Sequence, residues 1–213
     1  MGLLWAASII IALVVRKYFK NYRSNAWARE VMEWVDALCV VLVVVMAIHA
    51  WFFQLFKIPS GSMEDTLAIK DRLVVNKFIY GAKLPFSQND RLLKMRDPKR
   101  GDVVIFRYPN DTTKYYVKRL IGLPGDVLGI KDDVLSLNGE ALQEPYVVHK
   151  RLHGFPGHRD YGPVTVKSGH YMVLGDNRDQ SSDSREWGQL PAGYVRGMAW
   201  CVYWPFSRRG VIR

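Results

Sequence analysis

Three short stretches hold the residues whose types and spacing suit chemistry. The first, FKIPSGSMEDTL (residues 56–67), sets Ser60, Gly61 and Ser62 in a row directly after a long apolar run. A glycine between two serines lets the backbone turn sharply and lets a ligand approach closely, while the hydroxyls supply donors. Such a bend suits an oxyanion hole made from the Ser62 backbone N–H and the Ser60 hydroxyl, which would stabilise charge developing on an attacked carbonyl. A plainer reading stands beside it. Ser62-Met63-Glu64-Asp65 fits S-x-x-D, so Ser62 also suits the cap of a short helix through Leu67.

The second stretch is KYYVKRLIGL (residues 114–123). Period-two alternation puts Tyr116, Lys118 and Leu120 on one face of a strand and Tyr115, Val117, Arg119 and Ile121 on the other. A lysine buried between Tyr and Leu would lose solvation, which disfavours its charged form and lowers its pKa toward the range where it acts as a general base. The alternative is a lysine that lies along an apolar face and keeps its amine in water.

GDNRDQSSDSREWG (residues 175–188) is the third, a dense polar loop after the apolar YMVL. A solvated turn with side-chain-to-backbone bonds accounts for that composition. The functional reading is a supporting layer, in which Asp183 pairs with Arg185 and the Ser181 hydroxyl holds the lysine amine. His149, His153 and His158 lie in a Gly/Pro-rich stretch without ligand spacing, so neither a metal nor any other cofactor is expected.

The elements that position these stretches are mostly β. Beyond residue 57, short apolar or alternating runs are bounded by Gly, Pro, Asn and Asp, which predicts strands at 72–78, 102–108, 114–123, 127–130, 134–137, 170–174 and 195–203. Lys131-Asp132-Asp133 and Asn138-Gly139 mark turns, and residues 149–163 read as an exposed loop.

Before residue 57 the chain is different. Ala37–Phe56 is an apolar run broken only by His49 and Gln54, about 30 Å if helical, and a transmembrane helix is expected over residues 35–56. Residues 1–15 are a shorter apolar segment, expected as a first span. Arg16, Lys17, Lys20, Arg23 and Arg29 lie between the two, so residues 16–34 are expected in the cytoplasm and residues 57–213 outside, as one β domain. Cys39 and Cys201 fall in different environments and are not expected to pair. The formal net charge of +10 suits anionic membrane lipid; without a basic stripe of interleaved aromatics, nucleic acid is not an expected partner.

Four stretches in order, PSGSMEDTL (59–67), KRGDVVIFRYP (99–109), YYVKRLIGLPGD (115–126) and GDNRDQSSDSREWG (175–188), resemble the sequence boxes of bacterial type I signal peptidases, from about Phe56 to the C-terminus. The resemblance implies a mostly β fold: a coiled antiparallel β-sheet catalytic domain with a small β subdomain at about 131–170, behind one or two membrane helices. It implies a serine endopeptidase of the inner membrane that acts on signal-peptide-bearing preproteins at small-x-small sites, in association with the export machinery. Ser62 would be the nucleophile, Lys118 the general base, Ser60 and Ser62 the oxyanion donors, and Ser181, Asp183 and Arg185 the support. Phe56, Ile58, Met63, Leu67, Tyr116 and Val117 would shape the substrate pockets. The chain departs from the pattern in its short stretch between the lysine and GDNRD boxes, which holds no cysteine pair. A Ser/Lys maturation peptidase of a conjugation or secretion system and a non-catalytic membrane-anchored β binding module are the alternative readings.

Overall fold

In the computed structural model, which describes residues 17, 25–51, 53–83, 91–92, 95–148 and 160–212, the first full element is helix α1 (Ala26–Trp51). It starts inside the expected cytoplasmic loop because residues 26–34 contain neither Gly nor Pro and include several good helix formers, Ala26, Arg29, Glu30, Met32 and Glu33 among them. It also stops short of Phe56. Phe53–Lys57 is strand β1, paired antiparallel with β2 (Arg72–Asn76) in the register Phe56↔Leu73. The apolar part of α1, residues 37–51 with His49 within it, is therefore only about 22 Å long. Among the described residues no helix is long and apolar enough to cross a membrane. The expected first span over residues 1–15 lies outside the described residues.

The chain divides into two units, Met1–Trp51 and Phe52–Arg213. Within the second, the remaining strands are β3 (Ala82–Lys83), β4 (Arg91–Leu92), β5 (Val103–Tyr108), β6 (Asp111–Gly122), β7 (Val127–Lys131), β8 (Val134–Leu137), β9 (Glu140–Ala141), β10 (Tyr161–Thr165), β11 (His170–Leu174), β12 (Leu190–Pro191), β13 (Val195–Trp204) and β14 (Gly210–Val211). The large sheet runs β1-β2-β13-β5-β6-β11-β12, with β14 on β13. A four-stranded sheet, β10-β7-β8-β9, overlaps the stretch 131–170 named for a small subdomain and begins earlier, at Val127. The loop expected over 149–163 is strand from Tyr161 onward, because Tyr161 pairs with Ile130 and Val164 with Leu128.

Alternation along β5 explains why the large sheet is covered on both faces. Val103 and Ile105 join a core with Ile58, Met63, Leu67, Leu73, Val75 and Val202. Val104 and Phe106 join a second core with Tyr80, Leu120, Val173 and Leu190. A third core, with Ile121, Met172 and Leu174 from the large sheet and Leu128, Ile130, Leu135 and Leu137 from the small one, joins the two sheets. Apolar burial of this kind contributes about 25 cal/mol per Å², and it fixes the middle of β6, where Lys118 sits.

Candidate active site

The serine-bearing turn forms no helix, so Ser62 caps none. Instead the turn is tied down at its ends: Ile58 N–H donates to Asp71 O at 2.8 Å, Lys70 N–H to Ile58 O at 2.9 Å and Leu67 N–H to Met63 O at 2.7 Å. Met63 and Leu67 point into the core, 1% and 0% exposed. Ser62 is buried between them and the loop beyond β11, and among the described residues its N–H has no partner.

Lys118 enters from β6, paired with Val104 of β5. As the alternation requires, it shares a face with Tyr116, whose ring centroid is 5.8 Å from the amine. The side chain does not reach water: Lys118 is 3% exposed, and its Nζ lies 2.5 Å from Ser62 Oγ. Loss of solvation lowers its pKa from 10.5 to about 8; Asp183 and Asp176 work against that shift and Arg185 with it.

The loop after β11 supplies the rest. Gly175 N–H donates to Asp183 Oδ2 at 3.0 Å, and Arg185 grips the same carboxylate through Nε (2.8 Å) and Nη2 (2.9 Å). Burial alone would push the Asp183 carboxyl up; the Arg185 bonds outweigh it and hold the group below its ordinary 3.8. Asp183 also caps α2 (Ser184–Trp187) by accepting from Arg185 N–H. The expected Asp183–Arg185 pair is thus present. Ser181 is buried nearby, and among the described residues its Oγ has no hydrogen-bond partner of good geometry, although its approach to Asp183 favours the charged carboxylate.

Several residues that hold the site were not singled out from the sequence. Asn177 donates from its backbone N–H to Ser62 O at 3.2 Å and from Nδ2 to Gly61 O at 3.1 Å. Asp176, fully buried, takes two bonds from Arg119 (2.9 and 2.7 Å) and one from Thr66 Oγ1 (2.6 Å). The available signals were Arg119 directly after Lys118 and the Asp-Asn pair directly after Gly175.

A cleft of about 370 Å³ opens over Ser62 and Lys118. Of the residues named for substrate pockets, Ile58, Met63, Tyr116 and Val117 line it, together with Pro59, Ser60, Tyr115, Gln180 and Ser182. Two expected pocket residues are elsewhere. Leu67 is core, and Phe56 packs beside the cleft with its ring edge-on to Tyr115 at 5.5 Å.

An antiparallel β scaffold that buries a serine hydroxyl against a desolvated amine, beneath an open cleft, has the parts that nucleophilic catalysis by a serine requires. A family model described as signal peptidase, peptidase S26, matches residues 31–204, and the chain belongs to that family. The signal peptidase I of Pseudomonas fluorescens is 34% identical over 227 residues, covering 85% of this chain and 79% of the relative. That of Bacillus licheniformis is 36% identical over 190 residues, covering 87% and 95%. A crystal structure of a signal peptidase I from Enterococcus faecalis aligns with a TM-score of 0.43 at 34% identity, over 48% of this chain and 97% of that one. The enzyme is a signal peptidase, and its substrates are proteins that carry signal peptides.

Proposed function

We propose that the chain removes signal peptides through an acyl-enzyme on Ser62, with Lys118 as general base. The observation that carries this is the 2.5 Å contact between Lys118 Nζ and Ser62 Oγ, with both groups nearly closed to water. Neutral Lys118 accepts the Ser62 Oγ proton as Oγ bonds to the scissile carbonyl carbon. The Ser62 N–H and the Ser60 hydroxyl hold the oxyanion, each worth about 3 kcal/mol. Lys118 then protonates the leaving amine as the C–N bond breaks, which leaves an ester on Ser62. Water loses a proton to Lys118 as its oxygen bonds to the ester carbonyl carbon, the C–Oγ bond breaks, Lys118 returns the proton to Ser62 Oγ, and the signal peptide leaves with a new carboxylate. Asp183 and Arg185 hold the loop in place, and the buried Ser181 hydroxyl orients the Lys118 amine.

The cleft walls of Ile58, Met63, Tyr116 and Val117 suit small side chains, hence Ala-x-Ala-like sites. Leu38 and Val40–Val45 of α1 are exposed apolar residues, which a bilayer would cover. In this reading the N-terminal region anchors the enzyme with two spans in the inner membrane, the catalytic domain stands on the outer side beside the export machinery, and substrate meets Ser62 near the lipid surface. Cleavage of a purified preprotein by wild type, Ser62→Ala and Lys118→Ala in lipid tests the chemistry. Both variants should be folded and inert; cleavage by Lys118→Ala at near the wild-type rate would remove Lys118 from the mechanism.

A further inference from the structure

The stretch after β9 links the small sheet to the catalytic loop. Leu142 N–H donates to Leu135 O at 2.8 Å, and Leu142 and Tyr146 pack on the core that joins the two sheets. From this seat Glu144 receives both terminal nitrogens of Arg178, at 2.9 and 2.6 Å, with the two side chains 7% and 4% exposed. Arg178 also donates to Gly175 O at 3.0 Å. The Tyr146 hydroxyl donates to Glu144 Oε1 at 3.0 Å, and its ring lies 3.9 Å from the Arg119 guanidinium that holds Asp176. Backbone bonds run the same way: Val148 N–H donates to Asp176 O at 2.9 Å and Arg178 N–H to Val148 O at 3.1 Å.

Asp176 and Arg178 flank Asn177, which bonds the carbonyls of Gly61 and Ser62. We propose that Glu144 and Tyr146 are positioning residues: through Arg178 and Arg119 they clamp the loop that carries Asn177, and so set Ser62 against Lys118. The small sheet is the platform for that clamp. A bidentate, buried arginine–carboxylate pair fixes direction as well as distance, and displacement of a nucleophile by about 1 Å costs on the order of a hundredfold in rate. This inference rests on the Ser62/Lys118 reading.

The test is preprotein cleavage by the full-length enzyme in lipid, with Glu144→Gln, Asn177→Ala and the double variant, each checked for folding by near-UV circular dichroism. Glu144→Gln keeps the shape and removes the charge; kcat is expected to fall about tenfold with KM within twofold of wild type. The double variant should be no worse than the poorer single one, because both substitutions loosen the same turn. Folded Glu144→Gln with wild-type kcat, or a loss that multiplies with that of Asn177→Ala, overturns the clamp. If Glu144→Gln does not fold, Glu144→Asp, which retains the charge on a shorter arm, decides by the same separation of kcat from KM. Ser62→Ala, run alongside, distinguishes the two readings. Cleavage by it sinks the serine mechanism, whereas an inert Ser62→Ala beside a fully active Glu144→Gln sinks only the clamp.

Discussion

Gly175 passes so close to Ser62 that a Cβ added to it would stand 2.5 Å from the Ser62 carbonyl oxygen, and 2.2 Å from Ser181 Oγ. Neither neighbour is the end of a long side chain that can swing away, so Gly175→Ala must push the serine turn and the catalytic loop apart. Preprotein cleavage should fall at least about a hundredfold, with a lower melting temperature in the same sample. Near-normal activity in Gly175→Ala would mean that the two segments separate without cost to the chemistry.

Wild-type kcat/KM should rise with pH and level off above about 8, the value to which burial lowers the Lys118 amine. In the proposed mechanism only the neutral amine accepts the Ser62 proton, so protonation at lower pH would remove the active form. A profile from pH 5 to 10 in one lipid mixture measures the midpoint. A flat profile across pH 7 to 9 would contradict a lysine base.

Lys118→Met should abolish cleavage and yet stabilise the fold at pH 7. Below pH 8 the lysine is charged in both folded and unfolded chains, and the folded state bears the full cost of burying that charge, at most about 3 kcal/mol. Between pH 8 and 10.5 the unfolded chain binds the proton and the folded one does not, so wild-type stability recovers and the advantage of Met shrinks. Melting temperatures of the two proteins at pH 7 and pH 10.5 should differ clearly at the first and little at the second.

Asp183→Asn leaves Arg185 buried without its charge partner, and a loss of about 3 to 5 kcal/mol is expected. Because the Asp183 carboxyl is held below 3.8 in the fold, its contribution is present above that pH and disappears as the pH falls through the lower, folded value. The gap in stability between wild type and Asp183→Asn should therefore be full at pH 6 and close in strong acid.

Much of the scaffold was legible in the chain. Val134–Leu137 and His170–Leu174 are strands at the expected residues, since their apolar runs end at turn residues on both sides. Legibility failed where pairing partners lie far away. FQLF, which continues the apolar run, became β1 because Phe53–Lys57 found a ladder on Arg72–Asn76. Tyr161–Thr165 became β10 on meeting Val127–Ile130. S-x-x-D predicted a cap, yet the segment makes only one closed turn, Leu67 N–H to Met63 O, between the bonds that join Ile58 to Lys70 and Asp71.

The same division runs through the site. By itself the sequence determined which groups were available: a serine after a glycine, a lysine with Tyr116 and Leu120 on one strand face, and an Asp two residues before an Arg. Local order is enough for these, because alternation and short-range pairing depend only on neighbours along the chain. Only the tertiary structure decided that Lys118 meets Ser62 across 56 positions, that Asp176 and Asn177 hold the serine turn, and that Leu67 is core rather than cleft. Those outcomes depend on desolvation and on ladders between distant segments, and both exist only once the sheet has closed around the side chains.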